Sequence, residues 1–465
     1  MEKKGLKMPS AFSILFIIIA ILAVITHFIP SVESASFSQF IMAAPKGFVD
    51  AIDVCVFVLC IGGFLGVVAE TGALDAGIAA IVKKMGGNEL MLIPVLMLIF
   101  SLGGTSYGMC EETMAFYALI VGTMMVAGFD AMVGCATIML GAGVGCLGST
   151  VNPFAVGAAA DALKGVGIKV NQSIVIGLGA VLWLSSLIIA IIFVMRYAKK
   201  VKSEGRTILS AAEKAASEAE YLSGKNSETV NMTGSQKVAL TLFGLSFVIM
   251  IMSLIPWGSF GINMPAATGT WLVGLPWGDW YFRELQAWFV VMAIIIAIVS
   301  RIPERDFVKF FINGAADMMS VVLVIAVSRG ISILMTETGL DMYVLNNAAK
   351  ALEGVNTTVF TAGSYLVYIG LSFLIPSTSG LAAASMPTFG ALTAKIGLSP
   401  EVMIMIYCAA CGVVNLVTPT SAVVMGGTSL SKIEYPTWVR FALPLCGILV
   451  IANIVILSIA MMVLR

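Results

Sequence analysis

The sequence predicts an all-α polytopic membrane protein made of two inverted repeats, each holding a re-entrant hairpin and a broken transmembrane helix. Three observations predict it. Hydrophobic residues make up 59% of the 465 residues and charged residues only 11%, a balance that one soluble core and shell cannot absorb. A pattern also recurs: Gly47, Asp50, Gly63 and Glu70-Thr71-Gly72 return 267 positions later as Gly314, Asp317, Gly330 and Glu337-Thr338-Gly339. Finally, polar breaks interrupt apolar runs in matched pairs, Thr105-Ser106 with Thr378-Ser379 and Asn152-Pro153 with Thr418-Pro419. Doubled membrane units with paired breaks are the signature of a secondary transporter.

Lys3, Lys4 and Lys7 precede an apolar run from Phe12 to Ile29. A run of that size spans a bilayer, which takes ~20 residues, and exceeds a signal-peptide core. It reads as a retained first helix with its amino terminus in the cytoplasm, because cationic flanks stay inside. With its loop it forms a scaffold segment, residues 1–46. Gly47 to Ala69 then returns inward, toward an amphipathic piece carrying Lys83-Lys84. Residues 88–129, interrupted from Gly103 to Gly108, suit a re-entrant hairpin, and residues 130–161, broken from Gly148 to Pro153, suit an interrupted outward span. Ser173 to Met195 comes back onto Arg196, Lys199, Lys200, Lys202 and Arg206. The first repeat is therefore placed at 47–200.

Residues 201–236 are polar, with no apolar run, and read as a cytoplasmic linker with a short surface helix. Scaffold helices follow at 237–313. Lys237 to Pro256 runs outward, Trp257, Trp271, Trp277 and Trp280 are placed as an interfacial aromatic belt would be, and Glu284 to Ser300 returns to Arg301, Arg305 and Lys309. The second repeat, 314–465, with a hairpin at 355–395 and a broken helix at 400–430, thus starts inside where the first started outside. Lys432 and Arg440 fall on the side this inversion demands.

A helix broken inside hydrocarbon leaves peptide groups unpaired, each costing several kcal/mol unless protein, water or ligand takes them up. Half-helix amino ends can hold a carboxylate, while free carbonyls and hydroxyls can hold sodium. Gly104, Thr105, Ser106, Asn152, Ser377, Thr378, Ser379, Asn415 and Thr418 are accordingly candidate substrate contacts. Ser149, Thr150, Asn152, Thr420 and Ser421 offer the hard oxygens that a sodium ion takes. The bland alternative is close helix packing through small residues, against which four clusters in matched pairs weigh.

Charge inside apolar runs supplies a second set. Glu111-Glu112 follows the first hairpin tip, and neighbours on a helix diverge, so one of the two is expected to face a cavity, where it would bind an ammonium group or carry a proton. The second tip has no matching acid. Arg329, replacing Gly62 of the first unit, would meet a substrate carboxylate or pair with Glu337 or Asp317. Eight cysteines are scattered, and Cys408-Ala-Ala-Cys411 is read as packing, the single histidine, His27, being remote. Net charge is zero, which gives no reason to expect nucleic acid. One His and scattered Cys supply no enzyme constellation, and a channel would not need inverted broken helices. No cofactor is expected beyond sodium or a proton as coupling ion.

The Glu-Thr-Gly ending the first span of each unit, the stretch Ser101-Leu-Gly-Gly-Thr-Ser-Tyr-Gly-Met-Cys-Glu-Glu-Thr113, and the breaks Gly-Ser-Thr-Val-Asn-Pro and Asn-Leu-Val-Thr-Pro-Thr-Ser resemble the DcuC/YfcC family of the ion transporter superfamily. The resemblance runs from about Met8 to Leu464. It implies a homodimeric elevator in the inner (plasma) membrane, in which a mobile domain carrying both hairpins and both broken helices slides against a scaffold. It also implies a small organic ion as substrate, a C4-dicarboxylate in some relatives and an amino acid such as arginine or ornithine in others. One buried arginine and a Glu-Glu pair tilt this chain toward the amino acid, moved by cation coupling or by exchange.

Overall fold

In the computed structural model, residues 11–464 are described except 75, 78–88, 223–231, 255–256, 261, 263 and 266–267. Lys3, Lys4, Lys7 and the Lys83-Lys84 piece lie outside the described residues. Among those described, regular structure is entirely helical and nine helices are long and apolar enough to cross a membrane. In chain order the helices are α1 (Ala11–Thr26), α2 (Phe37–Asp50), α3 (Ile52–Glu70), α4 (Leu92–Tyr107), α5 (Tyr117–Val126), α6 (Ala131–Gly148), α7 (Ala158–Gly165), α8 (Gln172–Glu204), α9 (Ala211–Tyr221) and α10 (Gly234–Leu254). They continue with α11 (Phe282–Val299), α12 (Glu304–Asp317), α13 (Met319–Thr338), α14 (Leu340–Ala351), α15 (Thr357–Leu374), α16 (Thr378–Lys395), α17 (Pro400–Val414), α18 (Ala422–Leu430) and α19 (Tyr435–Val463).

Composition decides which helices sit at the centre. Along α6 and α17 nearly every residue is buried, because Ala, Gly, Cys and Met cover the whole circumference and a helix apolar all round packs on all sides. Helices such as α8 and α19 bury one stripe and leave Ile188, Ile451 and Ile459 on the surface, as a lipid-facing wall requires. The helices fall into two packed groups. One joins α1, α2, α3, α10, α11, α12 and α13; the other joins α4 to α8 with α15 to α19. A Phe cluster knits the first: Phe64 meets Phe289 edge-on at 5.1 Å and stacks on Phe243 at 5.9 Å.

Two glycine contacts set the closest approaches in that first group. A Cβ on Gly47 of α2 would lie 2.5 Å from the Gly330 nitrogen of α13, and one on Gly314 of α12 would lie 2.2 Å from the Gly62 carbonyl oxygen of α3. Gly47 and Gly314 are equivalent positions of the recurring pattern, and so are Gly63 and Gly330. Each unit thus sets the start of its pattern against the middle of the other's, with Gly314 meeting Gly62, one residue before the Gly63 that corresponds to Gly330. Ion pairs run along the same seam, Lys46 with Glu337 and Asp50 with Arg329 at 3.5 Å. The expected Arg329 partners are therefore corrected. Glu337 is taken by Lys46, and the guanidinium reaches across the seam to Asp50.

One tryptophan of the expected belt does not face outward. Trp271 is exposed, but Trp280 is buried, donating from Nε1 to the Leu275 carbonyl at 2.8 Å and packing near Trp288. An indole with its N–H satisfied by backbone can be interior. In the polar linker, α9 starts on a capping box from Ser210 and Glu213. Its buried Glu213 also accepts from the Glu434 N–H at 2.8 Å, and Tyr221 donates to the Leu430 carbonyl at 2.5 Å. The linker helix is thereby docked on the α18–α19 turn.

Candidate functional site

Four interruptions converge in the second group of helices. Helix α4 ends on Gly108 at φ 84°, a left-handed turn that favours Gly, and the chain passes through a 3-10 turn, Glu111–Phe116, into α5. Helix α6 ends on Ser149 at φ 39°, and Asn152 restarts the chain, its Oδ1 accepting from the Phe154 and Ala155 N–H groups at 2.9 and 3.3 Å. Helix α16 begins at Ser377, whose Oγ accepts from the Gly380 N–H at 3.1 Å. Helix α17 ends at Asn415, and Thr418 and Thr420 share a 2.7 Å hydrogen bond before α18 starts.

These ends enclose a cavity of about 200 Å³. Its wall includes Asn152, Ser377, Thr378, Ser379, Asn415, Thr420 and Ser421 from the breaks, Glu111 and Glu112 from the turn after the first tip, and Arg329 from α13. Both acids line it, against the expectation that one would turn away. The segment there is a tight turn and not an α-helix, and Glu112 folds back to accept from the Cys110 N–H at 3.0 Å. Two carboxyl groups thus share the space with one guanidinium, itself paired to Asp50 at 3.5 Å.

The other expected contacts do not line the cavity. Gly104 has its Cα face against the Ala142 carbonyl, where a Cβ would come within 2.2 Å. Thr105 is stitched to the first break: its Oγ1 accepts from the Thr150 N–H at 3.1 Å and its carbonyl accepts from Thr150 Oγ1 at 3.1 Å. Ser106 donates back to the Leu102 carbonyl at 2.6 Å. Ser149 donates to the Cys146 carbonyl and accepts from Asn152 Nδ2 at 3.1 Å, while Thr418 spends its hydroxyl on Thr420. These side chains satisfy the orphaned backbone and polar groups of the breaks from within, which leaves them behind the wall.

The wall also includes residues that the sequence reading passed over. Tyr281 and Phe154, whose rings lie 5.1 Å apart, bring aromatic surface to it. Asp50 belonged to the recurring pattern, so its repetition was a usable signal for the Arg329 pairing; Tyr281 sits in the loop before α11 with nothing local to mark it.

The comparisons with known proteins bear on what such a cavity serves. The model of the DcuC family, C4-dicarboxylate anaerobic carrier, matches residues 35–462. The chain belongs to that family. It is therefore a membrane transporter and not an enzyme. A Haemophilus influenzae (strain ATCC 51907 / DSM 11121 / KW20 / Rd) relative, an uncharacterised protein, is 30% identical over 414 residues, 89% of this chain and 76% of its own. YfcC of Escherichia coli (strain K12), provisionally named a basic amino acid antiporter, is 26% identical over 87% of this chain and 77% of its own. Among solved structures, Neisseria gonorrhoeae MtrF, described within a class of antimetabolite efflux pumps, aligns at TM-score 0.46 and 15% identity, covering 99% of this chain and 96% of its own. The Alcanivorax borkumensis YdaH transporter aligns at TM-score 0.46 and 14% identity, covering 97% and 98%.

Proposed function

We propose that the chain is a secondary active transporter of amino acids, with a basic amino acid such as arginine or ornithine as substrate, working by exchange or cation coupling. The observation that carries this reading is the charge distribution of the cavity, where Glu111 and Glu112 line the same space as Arg329 and the amino end of α16. A cationic side chain or ammonium group is stabilised by the acids. The substrate carboxylate takes the helix amino end, where Ser377, Thr378 and Ser379 line the cavity and the backbone dipole favours an anion. The name of YfcC supports the same class. A second reading, a C4-dicarboxylate, is favoured by the family's description and by Arg329 in the wall of the same cavity. Glu111 and Glu112 in the same wall disfavour it, because like charges sharing one cavity repel. A sodium ion or a proton serves as coupling ion, with Thr420 and Ser421 lining the cavity as oxygen donors, Asn152 Oδ1 being held by the Phe154 and Ala155 N–H groups, and one of the acids able to carry the proton.

Movement follows the grouping of the helices. The group α4–α8 with α15–α19, which carries both hairpins and both broken helices, is the mobile domain; the group α1–α3 with α10–α13 is the scaffold, and the protein works as a homodimer in the plasma membrane. The glycine contacts, Gly47 on Gly330 and Gly314 on Gly62, support the inverted-repeat reading within one residue of register, since a two-fold relation brings the same pair of segments together twice with the roles exchanged. Substrate counterflow in proteoliposomes tests the function. Vesicles preloaded with unlabelled arginine are expected to accumulate labelled arginine, saturably, and not labelled succinate. Accumulation of succinate alone selects the dicarboxylate reading, and unsaturable flux of either selects a channel.

A further inference from the structure

Eight cysteines occur in the chain, and their surroundings differ. Cys55, Cys135 and Cys446 are buried, each 3.9 Å from a backbone carbonyl oxygen. Cys408 and Cys411 are buried within the central helix α17, where they also border the cavity, and Cys60 on α3 is partly buried. Cys110 and Cys146 are unlike them. Their sulfurs lie 3.2 Å apart, both thiols are free and only partly buried, and both line the cavity. Cys146 stands three residues before the Ser149 break of α6. Cys110 stands two residues beyond the Gly108 turn, and its N–H is the donor to Glu112.

We propose that Cys110 and Cys146 are a redox modification site in the cavity wall, closing to an intramolecular disulfide when a small disulfide of the glutathione class enters the cavity. A disulfide is about 2.0 Å long, so closure moves the sulfurs by roughly 1 Å, a shift available to a turn following a left-handed glycine. The exchange balances in two steps. One cysteine thiolate attacks a sulfur of the small disulfide, forming a mixed disulfide and releasing one small thiolate. The second cysteine thiolate then attacks the protein sulfur of that mixed disulfide and expels the other small thiolate. Two protein thiols are oxidised by two electrons, and one small disulfide is reduced to two thiols. The bridge ties the turn that carries Glu111 and Glu112 to α6, and through the Cys110 N–H it displaces the Glu112 carboxyl. Binding that depends on those acids falls as a result.

The test uses the full chain in proteoliposomes exposed to oxidised glutathione. Titratable thiols are expected to fall from eight to six, digestion is expected to release one new peptide pair linking Cys110 to Cys146, and dithiothreitol is expected to reverse both changes. Uptake is expected to fall at least tenfold on oxidation and to recover with reduction, whereas Cys110→Ser and Cys146→Ser, each measured against its own untreated rate, are expected to lose less than twofold. Linkage through Cys408 and Cys411, eight thiols surviving the oxidant, or equal loss of uptake in the serine variants would overturn the proposal. The peptide readout needs no substrate and is independent of the transport reading, so failure of one is distinguishable from failure of the other.

Discussion

Glu112 accepts a hydrogen bond from the Cys110 N–H, and a glutamine there accepts the same bond while losing its charge. Glu112→Gln and Glu111→Gln therefore separate charge from shape at the two acids of the cavity. Removing one member of a desolvated charge pair costs about 2–5 kcal/mol, or at least ~30-fold in affinity at about 1.4 kcal/mol per tenfold. At least one of the two variants is expected to weaken arginine binding by that factor in calorimetric titration while keeping its melting temperature. Normal affinity in both makes the acids structural and removes the best support for an amino-bearing substrate. At this scale the sequence was only partly legible. Glu111, Glu112, Asn152, Ser377 and Arg329 were marked by charge or by position at a break, but nothing local told Thr105 from Thr378. Thr105 is turned to the peptide of Thr150, a partner fixed only when α4 packs along α6.

Elements raise a different question, namely how breaks survive in an apolar interior. The first is sealed by Thr105, so Thr105→Val leaves the Thr150 N–H without its acceptor at a part-buried site, while the Thr150 hydroxyl keeps the Thr105 carbonyl. An unsatisfied buried donor costs about 1–3 kcal/mol. That destabilisation is expected in denaturant or thermal unfolding, with Thr105→Ser close to the parent; a neutral Thr105→Val would show that the stitch contributes nothing. The linker helix α9 offers a pH-dependent case. Burial pushes the Glu213 carboxyl up, but hydrogen bonds from Ser210, the Glu434 N–H and Thr437 outweigh it and hold it below its ordinary 4.5. A carboxyl depressed in the folded state adds stability above its unfolded value, and that stability is lost as pH falls through the folded value. Glu213→Gln has one acceptor for the two N–H groups, of Ser210 and Glu434, that the carboxylate now satisfies. The variant is expected to melt below the parent at neutral pH and to converge with it in acid. A constant difference across that range would contradict the assignment. Apolar runs and their interruptions made these helices readable in the sequence, whereas the burial of Trp280 followed from a carbonyl five residues back and was not.

For the whole molecule, the orientation of the two units is what makes the paired breaks meaningful, and it rests on which side each loop faces. Among the described residues between the linker helix α9 and the exposed Trp271, α10 is the one apolar helix long enough to span, with 21 residues. At 1.5 Å per residue it is ~31 Å long, which matches a hydrocarbon core of about 30 Å. One crossing would put the two segments on opposite faces, and by the positive-inside rule the cations Arg196 through Arg206 at the end of α8 lead us to expect α9 in the cytoplasm. A cysteine at Ala215, on the exposed face of α9, and one at Trp271 are therefore expected to react with a membrane-impermeant maleimide from opposite sides of oriented vesicles, Ala215→Cys only in inside-out and Trp271→Cys only in right-side-out preparations. Labelling of both from one side would mean that α10 does not cross. The second unit would then start on the same face as the first, and the reciprocal contacts of Gly47 and Gly314 would need an explanation other than inversion.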